Sequence, residues 1–100
     1  MEIKREDIVK NILAKGCRPD SRTNLNRDHD YYFLQHKGKE SHLFVKISRS
    51  REYREYREPV LKRQARNWGI TFRDLVKYFD CTSEYQDLIK ILIRSGKLDP

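Results

Sequence analysis

Two short arms rich in aromatic and β-branched residues, YYFLQH over 31–36 and HLFVKIS over 42–48, flank the polar run Lys37, Gly38, Lys39, Glu40 and Ser41. Side chains of that kind fit a pleated, half-buried surface, and a glycine-bearing polar turn between them predicts an antiparallel β-hairpin. With Lys37 opposite Ser41, Phe33 meets Val45, Tyr31 meets Ile47 and Gln35 meets Leu43. Strand side chains alternate between faces, so Tyr31, Phe33, Val45 and Ile47 are expected on the core side. Tyr32, Leu34, His36, His42, Phe44 and Lys46 then fall on the other face, and a slip of one residue would mix the two sets.

A lone hairpin is marginal in water, so the rest of the chain must cover it. Residues 4–15 carry Ile8, Ile12, Val9 and Leu13 at helical spacing, with Glu6 and Asp7 in the first turn and Gly16 placed to end the helix. Residues 17–30 have no period and admit a short strand around 23–26. Residues 49–58 repeat Arg-Glu-Tyr and read as helical, with Arg51/Glu55 and Arg54/Glu58 as i, i+4 pairs. Pro59 breaks that segment and starts the next helix, 59–68, on whose inner stripe lie Leu61, Ala65 and Trp68. Thr71 caps a helix over 72–79 with Asp74 as its acidic partner. Ser83 caps another over 84–95, whose apolar arc of Tyr85, Leu88, Ile89, Ile91, Leu92 and Ile93 is wide for a surface helix. The fold class expected is α+β: an N-terminal helix, an antiparallel β-hairpin or small sheet, then a C-terminal bundle of three or four helices. One domain spans 1–100, made of a helix and hairpin (1–48), a basic helical segment (49–68) and a helix pair (69–100).

The charge is unevenly placed. Residues 31–68 hold ten Lys/Arg against four Asp/Glu, so six of the seven net positive charges sit in the middle of the chain. Clustered cations raise the local potential and attract phosphate backbones. Lys46, Arg49, Arg51, Arg54, Arg57, Lys62, Arg63 and Arg66 form the expected nucleic-acid contact zone, helped by Arg22, Arg27, Lys37 and Lys39. Tyr32, Phe44, Tyr53 and Tyr56 are the candidates for stacking on bases. Arg63 and Arg66, with no acid close by in sequence, are the strongest single candidates. The expected function is non-enzymatic nucleic-acid binding, with affinity that falls as salt rises.

The segment TFRDLVKYFDCTSEYQDLIKILIRSGKL, 71–98, resembles a helix-turn-helix of the winged kind, which implies a DNA-reading helix at 84–95. The first turn of that helix carries Glu84, Gln86 and Asp87, and acid there repels phosphate, so a purely structural helix pair stands beside the resemblance. The order helix, hairpin, helix up to Gly69 resembles small RNA-cleaving toxins of double-stranded-RNA-binding shape, which would imply a catalytic histidine. Those proteins carry it on a strand after a Gly-Ser/Thr pair, and that tripeptide is missing here. His36 and His42 are the histidines such a ribonuclease would need. The rival binding reading is a small phage or mobile-element adaptor or inhibitor that occupies the acidic surface of a nucleic-acid-handling enzyme, using helix 84–95 as a homodimer or partner interface. Cys17 and Cys81, far apart and without neighbouring ligands, read as free thiols in a cytoplasmic, reducing compartment. No catalytic motif, metal, cofactor, small-molecule substrate or membrane partner is expected, since no phosphate-cradling glycine loop, paired-carboxylate motif or long apolar run occurs.

Overall fold

The protein is described here by a computed structural model that covers residues 2–20, 28–80 and 82–100. In chain order it runs β1 (Glu2–Lys4), α1 (Arg5–Ala14), β2 (Cys17–Pro19), β3 (His29–His36), β4 (Lys39–Ser48), a 3-10 turn (Arg51–Tyr53), β5 (Glu55–Arg57), α2 (Glu58–Trp68), α3 (Phe72–Phe79) and α4 (Tyr85–Arg94). β2, β3 and β4 make an antiparallel sheet in that order, and β1 and β5 pair as a separate two-stranded ribbon. The α+β class is therefore the observed one, with an N-terminal helix, a small antiparallel sheet and three following α-helices.

One face of the sheet supplies Cys17, Leu34, Leu43, Val45 and Ile47 to the core. Against them lie Ile8 and Ile12 of α1, Leu61, Ala65 and Trp68 of α2, Leu75, Tyr78 and Phe79 of α3, and Leu88, Ile89 and Leu92 of α4. The stripes read from helical spacing are largely the buried ones, but Leu13, expected on the α1 stripe, is exposed, and only Ile8 and Ile12 of that helix are fully buried. Thr71 caps α3 by accepting from Asp74 N at 3.1 Å, and Pro59 sits in the first turn of α2, where its missing N–H costs nothing. At α4 the cap is Glu84 rather than Ser83, because Glu84 and Asp87 close a reciprocal capping box.

The hairpin register differs from expectation. Lys37 (φ 55°) and Gly38 (φ 74°) form a two-residue turn in the left-handed region, so His36 pairs with Lys39. Such turns match the natural twist of paired strands. A bulge then sets Leu34 opposite residues 41–43, after which Phe33 pairs with Phe44, Tyr32 with Val45 and Tyr31 with Lys46. The shorter turn exchanges the faces of β3, and the bulge, which shifts the pairing by two residues, leaves them so. Tyr32 packs against the core, and Tyr31 and Phe33 turn to the side that carries Phe44 and Lys46.

The Arg-Glu-Tyr repeat is not an α-helix. Only Arg51–Tyr53 turns, as a 3-10 element, and Glu55–Arg57 is a strand paired with Glu2–Lys4, Ile3 opposite Tyr56. Neither expected i, i+4 ion pair forms. The Tyr56 ring is buried and its hydroxyl accepts from Ser48 N at 2.8 Å, so burial of one tyrosine outweighs the weak local pairs. Residues 17–19, expected without structure, pair with β3 as the third strand. The strand expected near 23–26 lies outside the described residues.

Two side chains join the halves of the molecule. Lys15 is buried, and its Nζ donates to the main-chain oxygens of Tyr78 and, at 3.0 Å, of Ser83, while lying 4.8 Å from the centre of the Tyr78 ring. Tyr78 returns a bond, its hydroxyl donating to Lys15 O at 2.7 Å. Gly16 (φ 98°) lies so close to the Tyr85 ring that a β-carbon would come within 2.4 Å of it. Replacing Gly16 by alanine is expected to lower stability by about 2–4 kcal/mol, from left-handed strain plus overlap with Tyr85. Lys15→Met is expected to cost about 2–3 kcal/mol by leaving buried carbonyls without a donor. Urea denaturation midpoints of both variants check these values.

Candidate nucleic-acid interface

The cations of 46–66 divide into two groups. Arg49 is engaged: its Nε and Nη2 donate to Asp30 Oδ1 at 3.0 and 2.5 Å, a bond that holds the guanidinium above its ordinary pKa. Lys62 pairs with Glu58 at 3.1 Å and lies 5.7 Å from the Phe72 ring, and Arg57 approaches Glu2 at 3.7 Å across the β1–β5 ribbon. Lys46, Arg51, Arg54, Arg63 and Arg66 are exposed and have no side-chain partner among the described residues. Carboxylates hold the first group locally, whereas an incoming phosphate meets no competitor at the second.

Lys39 is exposed at the hairpin tip, and Lys37 donates to the main-chain oxygen of Pro100. Arg22 and Arg27 lie outside the described residues. Arg5, not singled out from sequence, donates to Ser48 O and Ser50 O at 2.7 and 2.8 Å and fixes the start of the basic segment to α1.

The four stacking candidates fare differently. Phe44 is 40% exposed on the outer sheet face, its ring 5.5 Å from both Tyr31 and Phe33. Tyr53 is also exposed, 6.2 Å from the Tyr56 ring. Tyr56 is buried, and its ring is not open to a base. Tyr32 faces the core opposite Val45; burial first, then the Asp30 charge, push its hydroxyl pKa up. Tyr31 and Phe33 are the residues of this face that sequence reasoning missed; Arg18, which the sequence offered with Arg22 and Arg27 as support for a binding face, stands opposite Phe33 on β2. The signal was present in the pair Lys37-Gly38, which read as a two-residue turn would have reversed the faces of β3.

α2 touches the edge of β4 at one carbonyl: Trp68 Nε1 and Gln64 Nε2 both donate to Phe44 O, at 2.9 and 3.1 Å, so that acceptor is not open to another strand.

In the helix pair that resembles a helix-turn-helix, α4 opens on the Glu84–Asp87 capping box and turns Leu88, Ile89 and Leu92 inward. Tyr85 donates to Gln35 O at 2.5 Å, which docks the first turn of α4 on the end of the sheet. No apolar side chain of α4 is among the strongly exposed ones. His36 is bonded to Asp99 O at 2.6 Å, and His36 and His42 line one shallow hollow with Lys97. Among the described residues no three His, Cys, Asp or Glu side chains converge as metal ligands, and no helix is long and apolar enough to cross a membrane.

Compared with known proteins, the chain matches no family model, no curated protein and no solved structure at a significant level.

Cys17 is buried against the Tyr78 hydroxyl at 3.4 Å, and desolvation pushes its thiol from 9.0 up to about 11. A thiol that keeps its proton in the fold but loses it when unfolded draws the equilibrium toward unfolding as pH rises. Stability is therefore expected to be intact below pH 9.0 and to fall between there and about 11, with Tyr78 acting in the same direction. Urea melts across that range check the sign. In a Cys81→Ser background, Ellman's reagent is expected to reach Cys17 only on unfolding.

Proposed function

We propose that this protein binds nucleic acid without catalysing a reaction on it, in the cytoplasm, and that phosphate neutralisation supplies most of its affinity. The observation that carries this reading is the group of five exposed cations, Lys46, Arg51, Arg54, Arg63 and Arg66, that no acid compensates among the described residues. Isolated surface charges of one sign repel one another and add nothing to the fold, so their concentration suits an anionic partner. Each phosphate neutralised releases condensed counterions, which ties affinity to salt.

The test is fluorescence anisotropy with labelled single- and double-stranded DNA and RNA. Binding is expected to weaken by orders of magnitude between about 50 and 200 mM salt, as for any protein that makes several phosphate contacts. The double variant Arg63→Glu/Arg66→Glu is expected to abolish binding at the higher salt while its circular dichroism melt stays within a few degrees of the parent. Unchanged binding by that variant, or no binding by the folded parent at low salt, sinks the reading. The second outcome points to an acidic protein surface as the partner.

A further inference from the structure

The outer face of the sheet is built differently from the rest of the surface. Phe44 stands on its edge strand β4, 40% exposed, with Tyr31 and Phe33 of the central strand each 5.5 Å away at interplanar angles of 54° and 42°. Lys46 occupies the position opposite Tyr31, and Arg18 the position opposite Phe33 on the far strand. Both cations are exposed, while Asp20, two residues beyond Arg18, is buried.

An aromatic ring left 40% in water forgoes burial that other rings of this chain obtain, Trp68 and Tyr78 being almost fully enclosed. Contact with two half-buried rings limits the rotamers of Phe44, so little side-chain entropy remains to be lost on binding. A rigid π-face flanked by cations on two strands matches a polyanion whose planar groups are open to stacking. In a duplex those faces are already stacked on their neighbours; in a single strand they are free.

We infer that the outer face of β2–β3–β4 is a single-strand binding platform. An unpaired base stacks on Phe44, Tyr31 and Phe33 brace the ring, and Lys46 and Arg18 hold the flanking phosphates. This inference rests on the nucleic-acid-binding reading and adds to it which form of nucleic acid is held and where.

Phe44→Leu is the decisive variant, because it keeps an apolar side chain and the main-chain bonds to α2 while removing the π-face. Anisotropy is measured with a 15-nucleotide mixed-sequence single strand, as DNA and as RNA, and with the matching duplexes. The parent is expected to prefer the single strands. Phe44→Leu is expected to lose roughly 5- to 150-fold in single-strand affinity, the range for one stacked base. Duplex affinity and the salt slope should stay unchanged, and Phe44→Trp should restore single-strand binding. If Phe44→Leu holds single strands as tightly as the parent while Arg63→Glu/Arg66→Glu does not, the platform is overturned and phosphate binding stands. If the parent prefers duplex, the platform is likewise overturned. If the parent binds neither form at low salt, the underlying reading fails and the platform with it.

Discussion

The fold depends on a buried ammonium group. Lys15 follows α1, and its charge is enclosed by the main-chain oxygens of Tyr78 and Ser83, at the negative end of α3. A lone cation in an apolar interior is very costly, but one enclosed by carbonyls at a helix C-terminus exchanges water for fixed dipoles of the right sign. Asn11 does the same a turn earlier, its Nδ2 donating to Phe79 O at 2.7 Å. Tyr78 reciprocates through Lys15 O and fills the space between Trp68 and Phe79. α1 and α3 are thus locked by polar bonds inside an apolar core, and that lock fixes the direction in which Gly16 and β2 leave α1.

With the helices fixed on one side, the sheet is left with two unlike faces. The inner one is aliphatic and closed by Leu34, Val45 and Ile47. The outer one is aromatic and basic, with Phe44 between Tyr31 and Phe33. α2 occupies the Phe44 carbonyl at the edge of β4 and also carries Arg63 and Arg66. Lys15, the one buried cation among the described residues, holds the fold, whereas Arg51, Arg54, Arg63 and Arg66 are exposed and form no ion pair among the described residues.

Much of this was legible in the sequence where the signal is local. The helices of 59–68 and 72–79, Thr71 as a cap and Gly16 as a stop follow from spacing and capping chemistry. The stripes Leu61/Ala65/Trp68 and Leu88/Ile89/Leu92 followed equally. The errors lie where a distant partner decides. Glu55–Arg57 extends because Glu2–Lys4 pairs with it, and no local pattern names a partner more than fifty positions away. The faces of β3 were misassigned because the turn was read as five residues, 37–41, where Lys37 and Gly38 alone form it. Among site residues, Lys46, Arg63, Arg66 and Phe44 lie exposed as the charge pattern suggested. Tyr56 was misjudged because its repeat looked like surface and is anchored by Ser48. Tyr31 and Phe33 emerge only once the true register is known, as does the place of Arg18 beside them.

The β1–β5 ribbon has a consequence for how the molecule comes to be. Residues 2–4 have no strand to pair with until 55–57 exist, and Lys15 has no carbonyls to receive it until Ser83 does. Contacts so distant along the chain give slow, cooperative folding, because the loop entropy is spent before the contacts reward it. During synthesis at the ribosome the N-terminal end of the early helix must therefore wait for residue 57, and its C-terminal end, where Lys15 lies, for residue 83.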